Sequence, residues 1–243
     1  MARYAMVTDL RKCVACHACT VACNAEWGVP PAHARTHVHV TPLAGTFPKL
    51  ASSPYVAQCN HCDRPPCVEP CPSGATSRGE DGIVRVDEGV CIGCGYCVPA
   101  CPYEARFISP AHKKVDKCDF CSSRIARGEQ PACVATCTAN AKYFGDLEDP
   151  GSEVHQMVYV DGARRIESAT IAVGPNVYYL GKPEQLDLVA ESFPPRPPRL
   201  LAAGQAWRRV VKPLVLAAVG ATFLGQAIAF FYQLGKGEKD FED

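Results

Sequence analysis

The sequence predicts an α+β protein that is organised around its cysteines and carries one membrane-crossing helix near its C-terminal end. Three observations support this prediction. Sixteen cysteines fall into four runs of four. Short strand-like segments separate the runs; one of them is 83–86, which is bounded by Gly82 and Asp87. A proline-rich segment, 193–199, precedes 21 residues, 214–234, that have no charged side chain.

The composition of the chain argues against two classes of protein, nucleic-acid-binding proteins and disulfide-rich secreted proteins. The 243 residues contain 25 Lys and Arg against 25 Asp and Glu, so no basic surplus favours a nucleic-acid partner. The opening residues MARYAMVTDLRKC lack the apolar segment of a secretory signal peptide. Disulfide scaffolds are also usually shorter domains without a core. We therefore expect the cysteines to bind metal rather than to pair with each other.

The four runs share one design. Each opens with two cysteines three positions apart and closes with two cysteines four positions apart, which indicates an internal repeat. Run 1 is Cys13, Cys16, Cys19 and Cys23; run 2 is Cys59, Cys62, Cys67 and Cys71; run 3 is Cys91, Cys94, Cys97 and Cys101; run 4 is Cys118, Cys121, Cys133 and Cys137.

This spacing is typical of iron–sulfur clusters. Three cysteines within seven residues, as in runs 1 and 3, wrap the chain around a cubane, and Gly93 and Gly95 allow the backbone to approach it. The last cysteine of such a run points away and binds the other cluster of a pair. Pro72 and Pro102 directly follow the last cysteines of runs 2 and 3, which completes the bacterial ferredoxin signature.

Two other metal sites compete with this interpretation. Structural zinc sites pair two short knuckles across a longer gap, and runs 1 and 3 lack that gap. A structural zinc-binding protein is nevertheless the alternative from a different class. Cys13, Cys16 and His17 also spell a haem c attachment sequence. Because the remaining cysteines of run 1 follow at ferredoxin spacing, we interpret His17 as an incidental loop residue.

Local patterns add two expectations. Helical turns are expected at the closing pair of each run, because a spacing of four places both cysteines on one helix face. The segment 24–58 is rich in Pro, His and Ala without a strong period, and we interpret it as an ordered insertion or a partner-facing loop.

Three stretches of the sequence, 59–75, 81–107 and 117–137, resemble those of a known protein family. Together with the four runs they resemble the iron–sulfur subunit of membrane-associated molybdopterin oxidoreductases, a family that includes polysulfide, tetrathionate and dimethyl sulfoxide reductases. The resemblance covers about residues 3–182. The opening stretch 4–27 is most similar to the polysulfide and tetrathionate reductase branch.

The resemblance implies two ferredoxin-like halves that each bind two 4Fe-4S clusters, four in all, with ligands exchanged between runs. The implied ligand groups are group A, Cys13, Cys16, Cys19 and Cys137; group B, Cys59, Cys62, Cys67 and Cys101; group C, Cys91, Cys94, Cys97 and Cys71; and group D, Cys118, Cys121, Cys133 and Cys23. Asn24 and Thr138 stand where the ferredoxin pattern has proline, which leaves the chain path after runs 1 and 4 open.

The C-terminal part predicts a membrane anchor. We expect a cluster domain at 1–192, a Pro- and Arg-rich linker at 193–212, a transmembrane helix at 213–235 and a charged tail at 236–243. Trp207 and Tyr232 lie near the two ends of the span, where aromatic residues prefer the interface. Basic residues are more frequent before the span than after it, so the positive-inside rule favours a cytoplasmic cluster domain, and the lack of a twin-arginine leader agrees.

The predicted function is electron transfer in anaerobic respiration. No catalytic constellation stands out, so we expect no catalytic residue and no enzyme activity of this protein on its own. The resemblance implies a molybdopterin-containing catalytic subunit and a polytopic quinone-reactive membrane subunit as partners, in contact with membrane lipid. The anchor also suits the alternative, an iron–sulfur subunit of a membrane-bound nickel–iron hydrogenase or formate dehydrogenase.

Overall fold

The computed structural model describes residues 2–167, 172–192 and 211–236, which form helices and short strands as the predicted α+β class requires. The strands are β1 Tyr4–Asp9, β2 Thr36–Val40, β3 Ala44–Thr46, β4 Lys49–Ala51, β5 Pro54–Gln58, β6 Thr76–Arg78, β7 Val84–Val86, β8 Phe107–Ile108, β9 Val115–Asp116, β10 Lys142–Asp146, β11 Arg164–Arg165 and β12 Val177–Leu180. The helices are α1 Ala18–Trp27, α2 Ser122–Ile125, α3 Ala132–Ala135, α4 Glu153–Tyr159, α5 Pro183–Ser192 and α6 Lys212–Lys236.

A four-stranded sheet in the order β10-β1-β12-β11 brings the first and the last cysteine runs together. Strand β1 pairs antiparallel with β10, with Tyr4 opposite Asp146, and parallel with β12, with Met6 opposite Val177. Run 1 begins directly after β1, and run 4 ends directly before β10. The antiparallel pairing of these two strands therefore holds runs 1 and 4 at the same end of the sheet.

Four antiparallel hairpins connect the runs. The pair β6–β7 leads from run 2 to run 3, and the pair β8–β9 leads from run 3 to run 4. The pair β3–β4 lies inside the pair β2–β5, so the segment 24–58 is ordered: it begins in α1, and its part 36–58 consists of two nested hairpins. Its tip exposes apolar side chains, with Phe47 85% exposed.

The predicted helical turns form in two of the four runs. Helix α1 contains Cys19 and Cys23, and α3 contains Cys133. The closing pairs of runs 2 and 3 instead lie in turns whose N–H groups bond three residues back, as from Cys71 to Val68. Prolines within these closing segments, at 70 and 99, supply no N–H donor, which explains why an α-helix does not continue there.

The chain divides into two compact units, Met1–Arg199 and Leu200–Asp243. In the second unit α6 includes Lys212–Gly235, which is long and apolar enough to cross a membrane, and Pro213 lies in its first turn, where proline is tolerated. Residues 193–210 and 237–243, which include most of the predicted linker and tail and Trp207, lie outside the described residues.

Candidate iron–sulfur sites

The four runs share one backbone feature that only run 3 reveals in its sequence. The residue two positions after the first cysteine has a positive φ in every run, and these residues are Ala15 (53°), His61 (44°), Gly93 (71°) and Phe120 (57°). At Gly93 a Cβ atom would come within 2.2 Å of the Lys113 carbonyl oxygen, so glycine is required there for space as well as for conformation. The same left-handed turn thus opens all four loops.

None of the sixteen cysteines forms a disulfide bond, and they differ in exposure. Cys16 and Cys94 are exposed, whereas the remaining fourteen are buried or half-buried. The two exposed thiols belong to different runs and different implied groups, A and C.

The thiols implied as group B interact electrostatically across two runs. Burial raises the pKa of the Cys62 thiol, and negative charge on Cys59, Cys101 and Cys67 raises it further. Burial likewise raises the pKa of Cys67 to about 12, with Cys59 and Cys101 adding to the shift. The fold therefore brings Cys101, the last cysteine of run 3, to the first three cysteines of run 2.

The thiols implied as group D show the same exchange. Burial, together with charge on Cys133 and Cys121, raises the pKa of Cys23 to about 12. Burial also raises the pKa of Cys118 well above its ordinary value, with Cys23 and Cys133 as the next causes. The last cysteine of run 1 thus lies among the first three of run 4.

Group A completes the exchange between runs 1 and 4. Burial raises the pKa of Cys13, and charge on Cys137 and Cys16 raises it further. Burial raises the pKa of Cys19 as well, and Cys13 is among the thiols that add to this shift.

Group C is less tightly enclosed. Cys91 and Cys97 pack in one apolar cluster with Cys67 of run 2. At Cys71 burial tends to raise the pKa, but hydrogen bonds from the Thr76 backbone and from the Ser73 and Thr76 side chains lower it below its ordinary value.

Several N–H groups point at the sulfur atoms. The Trp27 indole Nε1 donates to Cys121 Sγ at 3.3 Å, and the backbone N–H of Ala141 donates to Cys137 Sγ at 3.2 Å. Arg35 lies 4.3 Å above the Trp27 ring and helps to hold it. Hydrogen bonds of this kind stabilise thiolate ligands and tune the potential of the group that they bind. Trp27 was not recognisable as a site residue in the sequence, because 94 positions separate it from Cys121.

This donor set fits iron–sulfur clusters. In groups A, B and D, thiols from two runs lie together, and most of the sixteen thiols are buried or half-buried. N–H donors are directed at the sulfur atoms of Cys121 and Cys137. Within the described ranges, no group of three or more His, Cys, Asp or Glu side chains is arranged to hold a metal ion. A cubane is wider than a single ion, so its ligands lie further apart. His17 is exposed in its loop, next to Cys16.

Comparison with known proteins identifies one matching family and several proteins of similar sequence. Residues 52–147 match the 4Fe-4S dicluster domain family. The B subunit of tetrathionate reductase from Salmonella typhimurium is 42% identical over 181 residues, which is 74% of this chain and 72% of that protein. Protein NrfC of Escherichia coli strain K12 is 40% identical over 178 residues, which is 72% of this chain and 79% of NrfC.

A third relative, the thiosulfate reductase electron transfer subunit PhsB of Salmonella typhi, is 42% identical over 158 residues, which is 64% of this chain and 81% of PhsB. These relatives confirm the family predicted from the cysteine runs and the three stretches between 59 and 137. The chain has a ferredoxin-like iron–sulfur domain, and it belongs to the family of iron–sulfur electron-transfer subunits of molybdopterin oxidoreductases.

Proposed function

We propose that the chain relays electrons through four 4Fe-4S clusters, held by groups A to D in two ferredoxin-like halves, between a molybdopterin catalytic subunit and a quinone-reactive membrane subunit. When bound, a 4Fe-4S cluster supplies a site that takes up or releases one electron at a time. The observation that carries the proposal is the exchange of thiols between runs, with Cys101 among the thiols of run 2 and Cys23 among those of run 4.

Contacts between the groups support a linear order, A–D–B–C. Charge on Cys133 of group D adds to the raised pKa of buried Cys19 in group A. Charge on Cys59 of group B adds, after burial, to the raised pKa of Cys118 in group D. Cys67 of group B and Cys97 of group C pack in one apolar cluster. Each group therefore has a neighbour close enough for a short transfer distance.

The two exposed thiols support partner contacts at the ends of this order. Cys16 belongs to group A and Cys94 to group C. Val14 and Val21 near Cys16 are each 66% exposed, and Ile92 near Cys94 is 68% exposed. Apolar surface beside the terminal groups suits interfaces through which electrons enter and leave.

Helix α6 supports attachment to the membrane. Its side chains from Leu214 to Leu234 are exposed in its own unit, and its apolar length matches a hydrocarbon core of about 30 Å. We place the cluster domain, 1–192, on the cytoplasmic side, because five basic residues precede the span within the linker and only two follow it; the five are Arg196, Arg199, Arg208, Arg209 and Lys212.

Metal analysis tests the proposal. Anaerobically purified protein is expected to hold about sixteen iron and sixteen sulfide ions per chain, four cubanes' worth. Half of that content, or a preparation dominated by zinc, contradicts the four-cluster function. Purification from membranes distinguishes the partner: molybdenum in the complex supports the proposal, and nickel supports the hydrogenase alternative.

A further inference from the structure

Four basic side chains are buried among the described residues of the cluster domain; Arg35 pairs with the carboxylates of Asp116 and Asp119, and the other three have no such partner. Arg106 is 4% exposed, Lys117 is 3% exposed and Lys142 is 4% exposed. Lysine and arginine are almost never this deeply buried unless a negative group compensates them. The sequence suggests no role for these residues, because charged side chains are ordinarily interpreted as surface.

No carboxylate compensates these three cations in the part of the chain that the structure describes; its ion pairs involve other basic residues. Lys142 Nζ donates to the neutral amide oxygen Oε1 of Gln58 at 2.9 Å. Lys117 Nζ donates to the carbonyl oxygens of Val84 and Cys118. Neutral acceptors alone leave a buried positive charge costly.

Arg106 is the least satisfied of these cations in its hydrogen bonding. Its Nη1 donates to Thr76 Oγ1 at 3.2 Å, but Nε and Nη2 are buried without a hydrogen-bond partner. An unpaired buried guanidinium is a strong sign that a negative group belongs beside it.

Thiols of two neighbouring groups lie around Lys142 and around Arg106. Burial alone lowers the pKa of Lys142, but charge on Cys133 and Cys118 of group D and on Cys19 of group A raises it above its ordinary value.

Arg106 lies near thiols of groups B and C. Burial lowers its pKa, but charge on Cys67 and Cys59 of group B and on Cys97 of group C raises it overall.

Lys117 connects the two pairs. Its ammonium donates a hydrogen bond to the backbone carbonyl oxygen of Cys118, a residue of group D, at 2.7 Å. In group B, burial raises the pKa of Cys67, and Arg106 and Lys117 both oppose that shift. The three cations therefore alternate with the four groups along the order A–D–B–C.

We propose, on the basis of the four-cluster function above, that these cations are positioning residues that set the reduction potentials of neighbouring sites in pairs. Lys142 acts on groups A and D, Lys117 on groups D and B, and Arg106 on groups B and C. One-electron reduction adds one negative charge to a site and breaks no bond; the electron comes from a partner subunit, or from dithionite in a titration. A buried positive charge stabilises the more negative state, so it raises the potential of both sites that it faces.

The test is a redox titration of the full-length protein, followed by paramagnetic resonance. The neutral variants are Lys142→Met, Lys117→Met and Arg106→Gln, and the matched control is Lys49→Met at an exposed position. Each neutral variant is expected to lower the midpoint potentials of two signals by about 59 mV, a tenfold change for a one-electron couple, and to leave the other two unchanged. Lys142→Met and Arg106→Gln should shift different pairs, and Lys117→Met should shift one signal from each pair.

Unshifted potentials, or an equal shift of all four signals in every variant, overturn the proposal. The charge-preserving variant Lys142→Arg provides the check on folding. If Lys142→Met and Lys142→Gln both lose clusters while Lys142→Arg retains all four, the charge holds the clusters rather than tunes them, and the tuning role is wrong. Loss from Lys142→Arg as well also overturns it, because shape and not charge is then required. A low iron content in the unaltered chain contradicts the four-cluster function itself and is thus distinguishable.

Discussion

The rings of His61 and Phe120 stack with their centroids 3.7 Å apart and their planes 29° apart. Both side chains are fully buried, and both occupy the left-handed position that follows the first cysteine of a run by two residues. His61 Nδ1 also accepts a hydrogen bond from the backbone N–H of Val84 at 3.0 Å. This stack therefore joins the loops of runs 2 and 4, where the proposed halves of the domain meet.

Replacing Phe120 by alanine tests the importance of this stack. We expect Phe120→Ala to lower the free energy of unfolding by about 3–5 kcal/mol, because it removes a fully buried ring and leaves a cavity. Anaerobic denaturation monitored by visible absorption measures the change. Phe47→Ala, at a position that is 85% exposed, is the control and should change stability by less than about 0.5 kcal/mol. Equal midpoints for the two variants would contradict the structural role of the stack.

The left-handed position in run 3 gives a second prediction. Gly93→Ala is expected to destabilise the loop strongly, because the new Cβ meets the Lys113 carbonyl oxygen in addition to the cost of the positive φ. Gly128→Ala separates these effects, since Gly128 has a φ of 75° and no atom within 4 Å of its Cβ position. That control should cost only about 1 kcal/mol.

Iron content and thermal stability of the two glycine variants measure the difference. Ala15→Gly, at the equivalent position of run 1, should leave cluster content unchanged. If Gly93→Ala behaves like Gly128→Ala, the close approach of the backbone in run 3 is wrong.

The hydrogen bond from Trp27 gives a prediction on the reduction potential of one site. Trp27→Phe keeps an aromatic ring above which Arg35 can stack, but it removes the indole N–H that donates to Cys121 Sγ. Loss of about 1.4 kcal/mol of stabilisation of the reduced site lowers one midpoint potential by roughly 60 mV. A titration that shows no selective shift of one signal would refute this role of the hydrogen bond.

The membrane anchor gives a prediction on solubility. Truncation before Leu214 is expected to release a soluble protein that keeps its visible spectrum, because no cysteine follows Cys137 and the two units are compact by themselves. Fractionation without detergent compares the two forms. Equal solubility of the full-length and the truncated chain means that α6 does not span the membrane.

Much of the site could be predicted from the sequence, and the rest could not for identifiable reasons. Cysteine spacing is a local signal, so it indicated the runs and, with the stretches between them, the family. Among the residues of the shared left-handed turn, only Gly93 reveals a positive φ by its type; Ala15, His61 and Phe120 adopt it because the loop imposes it. The hydrogen bond from Trp27 depends on contacts between distant parts of the chain, which no local pattern encodes.

The nested hairpins of 24–58 were missed for another reason. Strands β3 and β4 are only three residues long and mostly exposed, most of β2 is exposed or half-buried, and β5 is buried at nearly every position. Such short strands do not produce the buried alternation by which a strand is recognised. The buried cations were missed because charged side chains are ordinarily expected at the surface.

The exchange of ligands between runs is the central claim, and Cys101→Ser tests it most directly. In the proposed arrangement Cys101 belongs with Cys59, Cys62 and Cys67, so Cys101→Ser should alter the same paramagnetic signal as Cys59→Ser and a different one from Cys94→Ser. The alternative is that each run binds its own cluster. A redox titration of the three variants, each checked for its iron content, decides between the two arrangements. If Cys101→Ser alters the Cys94 signal and leaves the Cys59 signal unchanged, the crossed arrangement is wrong.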